Sequence, residues 1–302
     1  MLFRSGPGAT VVVQSHPDRL DPADIWSTVA RERVVALTIV GDAFARPLLA
    51  ELDAHPGAYD LSSVLTMSSS GVMWSKEVKD GLLRHMPDAL LFDSFGSSEA
   101  VGLGGALSTK AGTSETAAFQ LGERVAVFTD DNRRVEAGGG ESGMVAVSGF
   151  LPVGYYKDEV KTAATFRTIE GKRWSVPGDW AQVNADGSLH LLGRGSVCIN
   201  TGGEKVFPEE VEEVLKLHPD VRDAVCVGLP DERFGEVICA VVEPPETGQS
   251  IEDASVISFV KEHLAAYKAP RLVVAVDSIG RSPAGKVDYK GLKALAAARL
   301  GR

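Results

Sequence analysis

Short apolar runs alternate with amphipathic stretches along the first hundred residues. Val34–Val40, Val64–Met67 and Ala89–Phe92 have the length and composition of buried strands. Apolar spacing of three and four residues predicts helices after Asp21, which can cap the Pro22 turn, and over Lys76–Arg84. Strands that alternate with helices in this way predict a mostly parallel sheet.

Two further elements of this region follow from residue type. Thr10–Val13 is a β-branched run, which predicts a short strand. Arg46–Leu52 has helical spacing, and Pro47 suits the start of a helix because its missing N–H needs no partner there. The first hundred residues are therefore expected to form βα units.

The pattern changes after about residue 120 to short strands between Gly- and Asp-rich turns. Arg124–Thr129, Met144–Ser148 and Trp174–Val176 are such strands, and Val183–Leu192 has the pattern of a hairpin around Asp186-Gly187. We expect a small, antiparallel, barrel-like subdomain here.

A third pattern begins near Gly193. Pro208–Leu217 is an amphipathic helix whose first-turn acids, Glu209 and Glu210, complement the helix dipole. The elements expected after it are strands at Val225–Gly228, Val237–Val242 and Leu272–Val276 and a helix at Asp253–Ala265. The predicted fold class is thus α/β, with a partial parallel sheet and an antiparallel subdomain over 1–193 and a small α+β domain over 194–302.

Composition narrows the possible partners. The chain has 302 residues and a formal net charge of −10, which argues against nucleic acid and anionic membranes as partners. Its apolar runs are too short for a membrane span. Its three cysteines, Cys198, Cys226 and Cys239, form no C-x-x-C pair, so we expect a reduced, cytoplasmic protein.

Two polar segments follow predicted strands. Ser68-Ser69-Ser70-Gly71-Val72 follows the second strand and Asp93–Glu99 follows the third, so both should lie at the carboxyl edge of a parallel sheet, where ligands bind. Taken alone, the first segment is more typical of an ordinary strand-to-helix turn, and a capped helix start is the alternative for the second.

The second segment carries residue types that suit a nucleotide. Phe95 offers a flat apolar face for a purine, and Gly96 permits close approach of the backbone. Ser98 can donate a hydrogen bond to a phosphate oxygen, and Glu99 is an oxygen ligand suited to Mg²⁺.

Three later segments add candidate groups. Asp179 follows a Pro-Gly turn and can accept hydrogen bonds from ribose hydroxyls, although a simple turn residue is the alternative. The Gly202-Gly203 turn follows Gly193-Arg194-Gly195 and allows the backbone to approach a ligand. Lys286 lies just after a Pro/Gly turn, where a solvated lysine is the alternative.

These segments, in this order, resemble the adenylate-forming superfamily, which includes acyl-CoA synthetases, luciferases and nonribosomal-peptide adenylation domains. The likeness is greatest to fatty-acyl or steroid-acyl CoA ligases of actinobacterial type. It rests on GRGSVCINTGGEKVFPEE from Gly193, on PAGKVDYK from Pro283 and on GYYKDEVKTAATF over Gly154–Phe166. It covers essentially the whole chain but matches the C-terminal part of the family.

The resemblance implies a reaction and a set of site residues. The family activates a carboxylic acid with ATP to an acyl-adenylate and then forms a thioester with coenzyme A. By resemblance, Glu99 holds Mg²⁺ and Lys286 catalyses adenylation, because the joining of two anions needs local positive charge. The resemblance further implies nucleotide-binding roles for Ser70, Gly71, Val72, Asp93, Ser94, Phe95, Gly96, Ser98, Asp179 and Arg194.

The resemblance also implies a mobile C-terminal domain. Ser196 occupies the hinge position, where the family usually has Asp or Lys, and Val197 departs from the pattern as well. After rotation, Gly202 and Gly203 would face the coenzyme A thiol. Val40, Gly41 and Asp42 are expected to border the acyl pocket.

The family's Gly-, Ser- and Thr-rich phosphate loop is absent from these residues. We therefore expect a truncated ligase that is weak or inactive alone. A non-catalytic AMP-binding remnant and a subunit active with a separate N-terminal polypeptide are the alternatives, and a carrier-protein-loading enzyme also fits the motifs. Surface that a missing half would leave exposed is compatible with a homo-oligomer or with association.

Overall fold

A computed structural model of the chain describes residues 8, 10–16, 19–246, 248–282 and 285–302. Pro283 and Ala284 of the lysine motif lie outside the described residues. The chain divides into two compact units. The first contains residues up to Gly96, Gly105–Phe119 and Gly285, and the second contains Ser97–Gly104, Gln120–Ser282 and Lys286–Arg302.

The first unit is built from βα units, as predicted. Its helices and strands, of which the last three continue into the second unit, are α1 (Pro22–Glu32), β1 (Ala36–Ile39), α2 (Gly41–Ala54), β2 (Thr66–Ser70), α3 (Lys76–His85), β3 (Leu90–Ser97), β4 (Ala100–Ser108) and β5 (Ala118–Leu121). Asp21 caps α1 through a bond of 3.1 Å from the Asp24 N–H to its carboxylate.

The strands β1, β2 and β3 pair in this order and in parallel. Alternation along the strands turns Met67 and Leu91 into the core, where they pack with helix residues such as Leu48 and Leu82. The opposite face of the same strands carries exposed residues, among them Phe92. Helices of this unit therefore cover one face of its parallel strands.

Three sequence predictions for this unit are wrong in detail. Thr10–Val13 forms no strand, and its valines are exposed, so no core holds this run in place. Of the run expected as a buried strand over residues 34–40, Ile39 is the one strand residue that is buried. Pro47 lies inside α2, which begins at Gly41 because the apolar face of Ala45 and Leu48 extends the helix in both directions.

The second unit contains the remaining elements. They are β6 (Val125–Phe128), β7 (Ser142–Ser148), α4 (Glu159–Thr165), β8 (Phe166–Ile169), β9 (Lys172–Ser175), β10 (Asp179–Val183), β11 (Leu189–Arg194), β12 (Ile199–Thr201), β13 (Glu204–Val206), α5 (Pro208–Leu215), β14 (Asp223–Asp231), β15 (Gly235–Glu243), α6 (Asp253–His263), β16 (Leu272–Ala275) and α7 (Tyr289–Arg299).

The first part of this unit is antiparallel, as predicted. Its strands follow the order β5-β11-β10-β7-β9-β8, with β6 beside β7. The predicted hairpin is confirmed as β10 and β11, and its loop is closed by Asp186, whose carboxylate accepts the Ser188 N–H at 2.9 Å. The closure of these strands into a barrel stays a prediction.

The second part of this unit has its own sheet, with β13-β12-β15-β14 antiparallel and β16 parallel to β15. Helices α5 and α6 contribute Val211, Leu215 and Val256 to the core on one face. Helix α7 contributes Leu292 and Ala296 to the core on the other. None of the helices in the described ranges has the length and apolar character needed to cross a bilayer.

Candidate functional site

The carboxyl ends of β2 and β3 bring two predicted serines side by side. Ser70 pairs with Ser94, and the Ser94 hydroxyl donates a hydrogen bond of 3.0 Å to the carbonyl of Ser69. Gly71 follows with a φ of +93°, a conformation that favours glycine. Ser70 and Gly71 are exposed and Val72 is half-buried, so the predicted ligand edge is open in this unit.

The turn between β1 and α2 packs tightly against the segment after β2. Gly41 has a φ of +51°, and a Cβ there would lie 2.4 Å from the Met73 carbonyl oxygen. Its N–H donates to the Ser69 hydroxyl at 2.8 Å. The Asp42 carboxylate accepts hydrogen bonds from the Ser75 N–H and from Arg46, so it is engaged within the protein. The acyl-pocket role of this turn stays a prediction.

Asp93 occupies the buried face of β3. Burial raises its pKa to about 7, against the opposing effect of Lys79 on α3. Lys79 is itself buried and donates a hydrogen bond of 2.7 Å from Nζ to the Ser114 hydroxyl. Asp93 therefore belongs to a buried polar cluster, while its neighbour Ser94 lies at the strand end described above.

The segment 93–99 is neither a loop throughout nor a helix start. Strand β3 continues to Ser97, and a hairpin turn leads to β4 at Ala100. The sequence prediction is wrong here because Gly and Ser are typical of turns, whereas pairing between neighbouring strands extends β3 through them. Phe95 is half-buried, and its ring centroid lies 5.6 Å from that of Phe119. Ser98 and Glu99 are in the hairpin turn, where Ser98 is exposed.

Glu99 is held by a residue to which the sequence analysis assigned no role. The Tyr155 hydroxyl donates a hydrogen bond of 2.6 Å to Glu99 Oε1. This bond and the charge of Lys161 lower the pKa of the Glu99 carboxyl. The motif around Gly154 was recognised in the sequence, but a contact across 56 positions has no local sequence signal.

Asp179 and Arg194 form an ion pair with one open acceptor. Arg194 Nε lies 3.3 Å from Asp179 Oδ1. Asp179 is 5% exposed, and its Oδ2 is buried without a hydrogen-bond partner in the described part of the chain. Burial raises the pKa of this carboxyl and Arg194 opposes the shift. An unpaired buried carboxylate oxygen is costly unless a donor reaches it, and ribose hydroxyls are such donors.

Glu209 lies directly beside this pair and was expected to act through the helix dipole alone. It accepts the Arg194 N–H at 3.3 Å, and burial raises the pKa of its carboxyl. A Cβ at Gly193 would lie 2.2 Å from Glu209 Oε2, so glycine at this position makes room for the carboxylate. Sequence periodicity gives no sign of this close approach.

The expected hinge lies in a short turn of 3-10 helix over Gly195–Val197, and Ser196 is exposed there. The Gly195 N–H donates to the Gly178 carbonyl at 3.0 Å. Gly202 and Gly203 form the turn between β12 and β13, both exposed, and the Gly202 N–H donates to the Phe234 carbonyl at 2.9 Å. These two glycines are thus placed by a contact of their own and not by the Asp179 pair.

Lys286 is exposed, and its backbone is tied to Ser282 by two hydrogen bonds of 2.9 and 3.0 Å. The preceding Gly285 belongs to the first unit, where a Cβ added to it would lie 3.3 Å from Val40 and 3.4 Å from Ala43. Gly285 therefore lies close to the turn that follows β1.

The described residues include no cluster of three or more His, Cys, Asp or Glu that could hold a metal ion. A single carboxylate such as that of Glu99 can still contribute to a Mg²⁺ site, because Mg²⁺ is commonly bound by one or two carboxylates together with substrate phosphates. A cleft of about 660 Å³ beside α3, lined by Lys76, Arg84, Lys110 and others, contains none of the predicted site residues.

The sequence of the chain is similar to a known family and to known ligases. The model for the AMP-binding enzyme C-terminal domain matches residues 210–286. A medium/long-chain-fatty-acid–CoA/3-oxocholest-4-en-26-oate–CoA ligase of Mycolicibacterium smegmatis is 45% identical over 291 residues, which are 95% of this chain and 52% of the relative. A 3-oxocholest-4-en-26-oate–CoA ligase of Rhodococcus rhodochrous is 45% identical, over 97% of this chain and 53% of the relative.

The fold of the chain also resembles that of a solved structure. The amide bond synthetase McbA from Marinactinospora thermotolerans matches with a TM-score of 0.75 and 26% identity. The match covers 91% of this chain and 55% of that protein. The chain thus spans about half the length of the curated relatives and of the solved structure that it matches.

Proposed function

Because the chain belongs to the adenylate-forming acyl-CoA ligase superfamily and spans about half the length of its relatives, we propose that it supplies the nucleotide-binding and lysine-bearing part of an ATP-dependent acid–thiol ligase. In this function a carboxylic acid is joined to AMP with release of pyrophosphate, and a thiol then displaces AMP to give a thioester.

One observation carries the proposal. No donor among the described residues reaches the buried Oδ2 of Asp179, while Arg194 pairs with Oδ1 of the same carboxylate. A pair of ribose hydroxyls would supply the missing donors, and the positive charge of Arg194 favours the ionised carboxylate that accepts them. Asp179 and Arg194 are therefore proposed as the ribose-binding pair.

The other nucleotide-binding roles follow the family pattern. Ser70, Gly71 and Val72 are proposed to flank the adenine and Phe95 to stack on it. Ser98 is proposed to contact the α-phosphate. The exposed Ser70 and Gly71, beside the half-buried Ser94, are compatible with a ligand at the carboxyl end of the parallel strands.

Glu99 is proposed as the protein ligand of Mg²⁺. Its carboxylate is ionised and accepts one hydrogen bond from Tyr155, which suits a hard cation shared with phosphates. The cation would offset negative charge on the nucleotide when bound.

Lys286 is proposed to stabilise the adenylation transition state, in which a carboxylate attacks a phosphate. We also propose that residues 1–193 and 194–302 form two domains, with Ser196 at the hinge. Gly202 and Gly203 would then face coenzyme A in the second step.

The acid is proposed to be a fatty or steroid carboxylic acid. The Mycolicibacterium smegmatis and Rhodococcus rhodochrous relatives bear the names of ligases for such acids, at 45% identity. The 302 residues contain no Gly-, Ser- and Thr-rich phosphate loop, so we expect them to bind nucleotide better than they turn it over.

A second candidate is a subunit that works with another polypeptide or with a second copy of itself. A specific observation favours it, namely that the face of β3 and β4 opposite the helices carries Leu90, Phe92 and Leu107 at 44%, 45% and 56% exposure. Parallel sheets are almost always covered on both faces, and such an apolar surface promotes association.

Calorimetric titration of the whole chain with AMP and with ATP and Mg²⁺ tests the function. We expect Asp179→Asn to abolish AMP binding, because the amide presents a donor where an acceptor is needed. Asp130→Asn, at an exposed carboxylate outside the pair, is the matched control. Equal AMP affinity in Asp179→Asn and in the unchanged chain would refute the proposed site.

A further inference from the structure

Tyr155 is the inward-facing side chain of an otherwise exposed segment. Phe150, Val153, Tyr156 and Val160 are between 85% and 99% exposed. Tyr155 is half-buried, and its ring centroid lies 5.8 Å from that of Phe166. The packing of the Tyr155 ring does not by itself require a hydrogen-bond partner for the hydroxyl. The partner of that hydroxyl therefore points to a further role.

The hydroxyl reaches a carboxylate on a different hairpin. It donates a hydrogen bond of 2.6 Å to Glu99 Oε1, in the turn between β3 and β4. A half-buried glutamate in a hairpin turn can adopt several rotamers, and a short bond to a charged acceptor selects one of them. The bond engages Oε1, so Oε2 is not needed to keep the side chain in place.

The backbone of Tyr155 is fixed by its own segment. Its N–H donates to the Thr162 hydroxyl at 2.9 Å, and that hydroxyl donates in turn to the Asp158 carbonyl at 2.6 Å. A Cβ at Gly154 would lie 2.6 Å from the Thr162 methyl carbon, so the chain passes closely over Thr162 at this point. The ring contact and these bonds hold the hydroxyl at a fixed position.

We propose that Tyr155 is a positioning residue for Glu99, whose carboxylate it orients for the divalent cation of a bound nucleotide. The inference rests on the proposed function, in which Glu99 is the protein ligand of that cation. A neutral hydroxyl suits this task because it directs the carboxylate without cancelling its charge. The nearby Lys161 Nζ lies over the Tyr155 ring, 4.1 Å from its centroid, and favours the ionised form of Glu99.

The test compares ATP binding in EDTA with ATP binding in Mn²⁺, both measured by calorimetry on the whole chain. The dissociation constant in EDTA divided by the dissociation constant in Mn²⁺ gives a ratio that reports how much the cation contributes to ATP binding. Tyr155→Phe keeps the ring and removes the hydroxyl, and we expect it to lower this ratio by ~10-fold or more, the usual effect of losing an outer-sphere partner. ATP binding in EDTA should not change.

A matched variant and a double variant separate positioning from folding. Tyr156→Phe removes a hydroxyl from an 87% exposed neighbour and should leave the ratio unchanged. Glu99→Gln should bring the ratio close to one, and adding Tyr155→Phe to it should have no further effect, because the tyrosine acts through Glu99. A purely structural role would make the two losses add.

The outcomes distinguish this inference from the proposed function. If the unchanged chain binds ATP in EDTA but Tyr155→Phe leaves the Mn²⁺ ratio intact, the positioning role is overturned and the nucleotide site stands. If the unchanged chain binds no ATP in either buffer, the proposed function fails and the positioning role fails with it.

Discussion

Arg194 Nε lies 3.3 Å from one oxygen of the buried Asp179 carboxylate, and the other oxygen has no hydrogen-bond partner among the described residues. The pair is asymmetric, since Arg194 remains mostly exposed while Asp179 is buried. Burial favours the protonated acid, and Arg194 favours the carboxylate. The balance between them decides whether Asp179 accepts or donates hydrogen bonds at a given pH.

A pH dependence of AMP binding follows. Burial raises the pKa of Asp179, so affinity for AMP should fall as the pH decreases through that raised value. Arg194→Ala removes the opposing charge, raises the pKa further and should move the loss of binding to higher pH. Calorimetry in EDTA across pH 5 to 8 measures both curves. Arg133→Ala, at an exposed pair with Glu141, serves as control, and coincident curves for Arg194→Ala and the control would contradict this expectation.

A substitution at Glu209 should partly restore the stability that a substitution at Gly193 removes. Gly193→Ala places a Cβ 2.2 Å from Glu209 Oε2, and we expect it to lower the free energy of unfolding by about 1–3 kcal/mol. Glu209→Ala opens the space, so the double variant should recover part of the loss. Urea denaturation of all four proteins gives the coupling free energy. A double variant whose loss equals the sum of the single losses would argue against the contact.

Stability should fall with rising pH because of Glu212. This buried carboxyl accepts the Cys226 N–H at 2.9 Å, and burial raises its pKa to about 8. Between the unfolded value near 4.5 and about 8, the folded state holds a proton that the unfolded state has lost. Stability is therefore lost as the pH rises through this window, at up to about 1.4 kcal/mol per pH unit.

Glu212→Gln should remove this contribution and give a shallower decline of unfolding free energy between pH 5 and 8. Asp93, whose pKa burial raises to about 7, contributes a decline of the same sign and remains in the variant. Urea denaturation at several pH values measures the difference between the two proteins. Parallel pH profiles would show that Glu212 is ionised in the folded state.

The uncovered face of β3 should drive association. Phe92→Thr and Leu90→Thr reduce its apolar area, and we expect both to weaken any concentration-dependent self-association seen by analytical ultracentrifugation. Phe150→Thr is the matched control, since Phe150 is 99% exposed but lies outside this face. Equal effects of Phe92→Thr and the control would show that the face is not the contact.

Lys286→Ala should reduce acyl-adenylate formation without affecting AMP binding. We expect it to leave AMP affinity unchanged and to lower acyl-adenylate formation by ~10²–10³-fold, as for the loss of one donor to a developing charge. The measurement is ATP–pyrophosphate exchange in the presence of octanoate. This chain is mixed with the N-terminal half of the Rhodococcus relative for the assay. Lys290→Ala, exposed at the start of α7, is the control and should retain the exchange rate. An equal loss in the two variants would contradict the role of Lys286.

Local sequence signals predicted the elements well where they were self-contained. The Asp21 cap, the helix over Lys76–Arg84 and the β10–β11 hairpin depend on residues within one or two turns of each other, and all three are confirmed. Thr10–Val13 failed because β-branched residues form a strand when they have a neighbour to pair with, and the described structure gives this run none.

The sequence motifs proposed the candidate residues, whereas the contacts that those residues make came from the structure. The motifs pointed to Asp179, Arg194 and Glu99, and the structure places the first two in an ion pair. The partners Tyr155 and Glu209 escaped because each contact depends on tertiary packing across a long stretch of chain or on an exact backbone approach. Only the folded chain reveals them.

The indole of Trp180 packs against Phe207 at 6.0 Å between ring centroids, and Lys205 Nζ lies 4.0 Å from its ring. Trp180 precedes the proposed hinge at Ser196, whereas Phe207 and Lys205 follow it. Rotation about the hinge would strip both neighbours from the indole and expose it to water. Trp180 is thus an intrinsic fluorophore whose emission shift would report the proposed rotation without any attached label.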